Sequence, residues 1–208
     1  SCKDDMNLWV KPSGTTLSGI TEEAFVILDR DKIKSLFRVE IPSSDTEKEK
    51  LVQRIMKDAV IGGSNARPSL EAPLHNLLNS VYVVHTHPAL VNGMTCGKNG
   101  KEKCAELFPE SLWVEYYNPG FSLCSGMEKI LRKYRAGYGK DPELIFLKNH
   151  GVFVSSNTVE GIHITYSMLM NKLDNYYNSL GIQQTMPEAK PVSSKSELIL
   201  KELLGDIG

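Results

Sequence analysis

Two histidines one residue apart, His85-Thr86-His87, close the apolar run Val81-Tyr82-Val83-Val84 just before Pro88. Alternate residues of an extended strand share a face, so His85 and His87 project together while Thr86 points away. Two imidazoles a pleat apart can grip one divalent metal. Such a pair can also be structural, since the chain holds five histidines and two will sometimes fall this close by chance. Further donors are therefore needed. His150 stands in Lys148-Asn149-His150-Gly151, a polar turn between Leu144-Ile145-Phe146-Leu147 and Val152-Phe153-Val154, and is a candidate third ligand. Glu71 lies just before Ala72-Pro73-Leu74-His75-Asn76-Leu77-Leu78, a short helix opened by Pro73. It reads either as an electrostatic cap at the helix start or as a carboxylate held beside the metal. His75 reads as a packed or supporting residue, and His163 as a histidine at the edge of the core.

Three neutral imidazoles hold Zn²⁺, or another divalent transition metal, with one position left for water or substrate. A carboxylate can occupy that position at rest and serve as a base once substrate displaces it. The spacing matches neither a zinc ribbon nor a His-Glu-x-x-His helix. The donors come from separate segments, so only the fold can bring them together.

The elements that must do so are legible in outline. Asn7 to Lys11 reads as a strand, followed by the turn Pro12-Ser13-Gly14-Thr15-Thr16, whose backbone N–H groups could face an anion. Phe25 to Leu28 is a second strand, and Asp29-Arg30-Asp31-Lys32 a turn. Ser44-Asp45-Thr46-Glu47 has capping-box spacing and opens a helix with Leu51, Val52, Ile55 and Ala59 on its apolar face, stopped by Gly62-Gly63. The run from Val81 ends at His87, and Pro88 can begin another helix. The Lys-rich segment 97–110 reads as surface loop, Leu112 to Tyr117 as a strand, and Ser125 to Ala136 as a helix stopped by Gly137. Val159, Ile162, Tyr166, Leu169, Leu173, Tyr176 and Leu180 form the apolar stripe of a long helix. Met186 to Ser194 reads as a linker and Leu198 to Leu204 as a terminal helix.

The chain has 208 residues, 41% of them hydrophobic, with 24 Lys plus Arg against 25 Asp plus Glu. That size suits one large domain or at most two small ones, and the even charge gives no support to a nucleic-acid or polybasic membrane binder. No run approaches a membrane span, and the first residues are not a signal sequence. Cys2, Cys96, Cys104 and Cys124 lack Cys-x-x-Cys pairing and read as free thiols of a cytoplasmic protein, with a disulfide across the loop between Cys96 and Cys104 as the alternative. The chain starts without Met and enters a strand almost at once, which marks a fragment or a very short lead-in.

Four motifs, Lys11-Pro12-Ser13-Gly14, Pro68-Ser69-Leu70-Glu71 with His75 four residues on, His85-Thr86-His87-Pro88 and Asn149-His150-Gly151, together resemble the class II aldolase/adducin family. Its members include zinc-dependent fuculose-1-phosphate and rhamnulose-1-phosphate aldolases. The resemblance implies one α/β domain over the whole chain, three-layer α/β/α with a largely antiparallel central sheet, and a homotetramer. It implies His85, His87 and His150 as zinc ligands and Glu71 as the catalytic carboxylate. It implies Ser13, Gly14 and Ser69 as contacts for a substrate phosphate, and Tyr116, with Tyr117 as competitor, acting on the aldehyde side. The implied reaction is retro-aldol cleavage of a ketose 1-phosphate to dihydroxyacetone phosphate and an aldehyde. Pentose-phosphate epimerases, methylthioribulose-phosphate dehydratases and decarboxylases use the same scaffold and metal site. Adducin heads share it as interaction modules without the histidines. Against the family pattern, an N-terminal helix and a Gly-Asn turn that helps hold phosphate are missing, and no aromatic residue follows Tyr177 to close the site. Leu8-Trp9-Val10-Lys11 and Arg67-Pro68-Ser69 also resemble the aldolase-like half of larger aldolase–dehydrogenase proteins. No Gly-x-Gly-x-x-Gly loop accompanies them here.

Overall fold

The computed structural model describes residues 1–40, 42, 44–63 and 66–182. The linker and terminal helix expected over 183–208 lie outside the described residues. The chain divides into a compact unit, Ser1–Asp174, and a second, Asn175–Gly208. The first holds a mixed α/β architecture of strands β1 (Cys2–Lys3), β2 (Asn7–Val10), β3 (Val26–Asp29), β4 (Tyr82–Thr86), β5 (Leu112–Val114), β6 (Leu144–Leu147) and β7 (Gly151–Ser156). They form one seven-stranded sheet in the order β3-β2-β1-β4-β7-β6-β5. Every neighbouring pair is antiparallel except β5 with β6. The helices are α1 (Arg30–Ser35), α2 (Asp45–Ala59), α3 (Ala72–Leu77), α4 (Ala89–Thr95), α5 (Gly100–Leu107), α6 (Phe121–Tyr138) and α7 (Val159–Ser179).

Register explains how the sheet acquires two covered faces. His85 pairs with Phe153, which pairs with Ile145; Thr86 pairs with Val152, which pairs with Phe146. Directly opposed residues share a face, so His85, Phe153 and Ile145 look one way and Thr86, Val152 and Phe146 the other. On the first face Val83, Phe153, Ile145, Leu147 and Val114 pack with Leu123, Met127 and Leu131 of α6 and with Leu74 and Leu78. A second cluster on β2 and β3 buries Leu8, Val10, Val26 and Leu28 against Ile33 of α1 and Leu51, Val52, Ile55 and Met56 of α2. On the opposite face Phe108 packs on Phe146 with ring centroids 5.1 Å apart. There Tyr166 of α7 reaches the Thr86 hydroxyl at 3.1 Å.

Several boundaries differ from the sequence reading, each for a local reason. Asp29 does not begin a turn. Its carboxylate accepts the N–H groups of Asp31 and Lys32 and caps α1. Ser44 caps α2 as expected, accepting from the Glu47 N–H and donating to the Glu47 carboxylate at 3.0 Å. That helix ends at Ala59, because Val60 turns extended to bridge Leu28, and Gly62-Gly63 makes a turn only afterwards. The Lys-rich segment 97–110 is not loop throughout: α5 buries Cys104 and delivers Phe108 to the sheet. Its charges mask a spaced apolar face. Helix α6 starts earlier and runs past Gly137 to a left-handed stop at Gly139, φ 70°. The strand expected to reach Tyr117 ends at Val114. On α7, Leu169 and Leu173 are buried, whereas Val159 is exposed and His163 stands on the surface rather than at the core edge.

Candidate metal centre

The site is assembled where β4 ends beside the start of β7. β4 stops at Thr86, so His85 is still held by the ladder while His87 stands just beyond it. The turn Lys148-Asn149-His150 between β6 and β7 is tight. Asn149 adopts φ 56°, a conformation open to Asn at modest cost, and its N–H is held by the Thr95 carbonyl at the end of α4. The turn carries His150 back over the sheet end. The ring nitrogens of His85, His87 and His150 then lie within 4.8 Å of one another, a grouping that can hold a metal ion. The Nε2 atoms of His85 and His87 are 3.0 Å apart.

The orientation of His85 is set from behind. Its Nδ1 meets the Val152 carbonyl at 2.9 Å, and its ring stacks on Phe153 with centroids 4.0 Å apart. A carbonyl can only accept, so Nδ1 carries the proton and Nε2 presents a lone pair to the cluster. Gly151 makes room for the second imidazole. A Cβ at residue 151 would lie 2.4 Å from Cδ2 of His87 and 2.5 Å from the Thr86 carbonyl. Gly151→Ala should therefore lower unfolding stability by about 1–3 kcal/mol and weaken uptake of a divalent metal together. Denaturant titration and chelator competition measure the two effects, and an unchanged metal affinity would contradict the packing role.

Glu71 arrives from α3, on the same face. It is the N-cap residue, yet its side chain makes no capping hydrogen bond. The carboxylate turns instead to the histidines, with Oε1 at 3.2 Å from Nε2 of His150 and Oε2 at 3.5 Å from Nε2 of His85. The Glu71 carboxylate thus faces the imidazoles rather than the N–H groups of α3. Desolvation pushes its pKa up, but the hydrogen bond from His150 and the neighbouring imidazoles outweigh that and hold it below the usual carboxylate value. It is ionised at neutral pH. Burial pushes His85 the other way, down to about 4, against the pull of Glu71 and the Val152 carbonyl. His87 is lowered too, chiefly by desolvation and then by His150. A neutral imidazole is the ligating form, so His85 keeps its lone pair far into acid and loses it only as pH falls through the depressed value. Metal-free protein followed by NMR should show His85 titrating near pH 4. A midpoint at the ordinary value of about 6.5 would contradict its burial.

His75, expected to be packed, is half-buried, with its ring edge-on to Phe153 and its Nδ1 2.9 Å from the Ser1 hydroxyl. Burial holds its pKa well below the ordinary range. Ser13, Gly14 and Ser69 are brought together by a short bridge between Pro12 and Pro68, with the Ser13 N–H donating to the Arg67 carbonyl at 2.8 Å. Gly14 takes φ 80°, and the Ser69 hydroxyl accepts from the Glu71 N–H at 3.2 Å, so this loop runs directly into the carboxylate. Tyr116 is exposed beyond β5, and among the described residues no hydrogen bond or ring contact joins it to the histidines. Tyr117 packs instead against α6, where Gly126 leaves space for its ring. Sequence reasoning missed Val152, whose carbonyl orients His85, and the buttress Phe153. Neither residue type signals such a role. A groove of about 510 Å³ lies at the far end of β6, among Phe108, Tyr134, Tyr138, Leu144 and Met168, and includes none of the predicted site residues.

The four cysteines are unpaired. Among the described residues no helix is long and apolar enough to cross a membrane.

Comparison with known proteins agrees with the fold. Residues 1–171 match the model of the Class II Aldolase and Adducin N-terminal domain. The uncharacterized oxidoreductase YuxG of Bacillus subtilis (strain 168) is 29% identical over 175 residues, which is 82% of this chain but 24% of that protein. This chain thus spans about a quarter of that relative's length. The N-terminal class II aldolase domain of a conserved protein from Thermoplasma acidophilum superposes with TM-score 0.68 at 20% identity, covering 82% of this chain and 74% of that one. An L-fuculose 1-phosphate aldolase superposes with TM-score 0.53 at 12% identity, covering 96% and 81%.

Proposed function

Because this chain belongs to the class II aldolase and adducin family, we propose that it is a zinc-dependent lyase. On this reading it cleaves a ketose 1-phosphate to dihydroxyacetone phosphate and an aldehyde. The observation that carries the reading is the meeting of three imidazoles and one ionised carboxylate at the sheet end. The donor set fits the ion: three nitrogen ligands from His85, His87 and His150, with a carboxylate beside them, is the composition of an open zinc site. When bound, the cation supplies Lewis-acid stabilisation of the negative charge that develops on substrate oxygen as the carbon–carbon bond breaks.

The remaining roles fall to the chain's own residues. Glu71, ionised and displaced from its capping duty, takes a proton at its carboxylate oxygen and returns it to carbon. Ser13, Gly14 and Ser69 offer hydroxyl and backbone N–H groups to the phosphate, whose distance from Glu71 is set by the short chain between residues 69 and 71. Tyr116 acts on the aldehyde side, and its exposure suits a site completed in a homotetramer by another copy. The unpaired thiols suit a cytoplasmic setting.

Epimerase, dehydratase and decarboxylase chemistries would use the same ligands. An adducin-like module would have no use for them, and all three histidines are present. The test is to incubate zinc-loaded protein with a panel of ketose 1-phosphates and to assay dihydroxyacetone phosphate. Release from at least one is expected. No release, with isomerised, dehydrated or decarboxylated product instead, would overturn the aldolase reading in favour of its neighbours.

A further inference from the structure

The helix that carries Glu71 has only six residues and is deprived of its own N-cap. So short a helix has little stability in isolation, and something else must hold it. Its other end is unusually well held. The last turn of any helix leaves carbonyls unpaired and gathers partial negative charge. Here cations from two elements meet those carbonyls, and a third from another element holds a side chain of the last turn. Nζ of Lys3, on β1 and 5% exposed, donates to the carbonyls of Leu78 at 3.0 Å and Ser80 at 2.6 Å. Arg135 of α6 donates to the Leu77 carbonyl and to Asp141, whose second oxygen accepts the Asn79 N–H. Arg30 of α1 donates from Nε to the Asn76 side-chain oxygen at 2.8 Å, and the Asn76 amide donates back to the Arg30 carbonyl. Asn76 is itself buried.

The position of this helix gives the arrangement its consequence. Ala72 packs in the cluster of β2 and β3, while Leu74 and Leu78 pack in the cluster that surrounds β4, β6 and β7. α3 thus bars the seam between two cores, with Glu71 at one end and the cations at the other, about 9 Å along the helix axis. A loosened far end lets the bar tilt, and the carboxylate then leaves its 3.2 Å and 3.5 Å separations from His150 and His85.

We propose that Lys3, Arg30 and Arg135 form a clasp on the C-terminal end of α3 and act as positioning residues for Glu71. The inference rests on the reading of Glu71 as a group that works beside the metal. Its test is a double-mutant cycle on Zn²⁺ affinity, measured by chelator competition and needing no substrate. Arg135→Gln should weaken Zn²⁺ binding about tenfold in the native background and less than twofold when Glu71→Gln is already present. Arg135→Lys, which can still reach the Leu77 carbonyl, should recover most of the loss. Equal weakening in both backgrounds, or none in either, overturns the proposal, because a merely structural residue acts independently of Glu71. Should Arg135→Gln fail to fold, Asp141→Asn frees the same guanidinium and completes the same cycle with the same two outcomes. Failure of every ketose 1-phosphate to release dihydroxyacetone phosphate would refute the aldolase reading alone, since the coupling is read on zinc.

Discussion

His150→Ala should lower zinc affinity by about 10²–10³-fold while leaving the fold intact. Zinc held by a full set of four protein ligands is bound by roughly 10–16 kcal/mol, so one ligand accounts for about 3–4 kcal/mol of it. His150 is the most informative of the three to remove. His85 also stacks on Phe153 and bonds Val152, so its loss would disturb the core. His87 packs over Gly151 and shares that ambiguity. His150 projects from a turn whose backbone is held independently, through Asn149 to Thr95 and Lys148 to Val114. Among the described residues its side chain partners only Glu71 and the other two imidazoles. The pair that remains can still bind a cation, but as a two-point grip open to solvent on the His87 side. Chelator competition with a thermal melt of the metal-free protein measures the effect. Unchanged affinity with an unchanged melt would mean that the imidazoles meet for another reason.

Glu71→Gln should reduce the rate of carbon–carbon cleavage by about 10²–10⁴-fold, the usual worth of a positioned acid–base group. Gln keeps the length and shape of Glu but cannot take up a proton. Zinc affinity should fall only about tenfold, because the three imidazoles remain. The separation of the two effects is the content of the prediction. A group that served only as an electrostatic cap would show neither, and Glu71 makes no capping hydrogen bond to lose. Steady-state assay of the zinc-saturated variant, with metal content verified, decides the matter. A rate within tenfold of the native protein would remove Glu71 from the chemistry.

What the sequence revealed depends on the range of the physics involved. The period-two projection of His85 and His87 is local, and the strand forms where it was read, one residue short at each end. The hairpin carrying His150 was legible because a polar turn between two fully apolar runs has few alternatives. The convergence of His150 with the pair could not be read from spacing. It depends on β7 lying beside β4 with His85 opposite Phe153, a pairing between residues far apart in the chain. The boundaries that failed did so where one side chain decides the outcome. Asp29 looks like a turn residue until its carboxylate is seen capping two N–H groups. The segment 97–110 looks like solvated loop because lysines outnumber the Cys104 and Phe108 that pin it down. The clasp on α3 was invisible for a related reason. Lys3, Arg30 and Arg135 are scattered charges in the sequence, and nothing about their types distinguishes them from surface residues.

The central claim is that His85, His87 and His150 surround one cation. Diffraction from zinc-soaked crystals, recorded on either side of the zinc absorption edge, tests it directly. One dominant anomalous peak is expected, bonded to all three imidazoles at about 2.0–2.1 Å, with the Glu71 carboxylate beside it. A peak on Cys96 or elsewhere on the surface, with the three rings empty at saturating zinc, would contradict it.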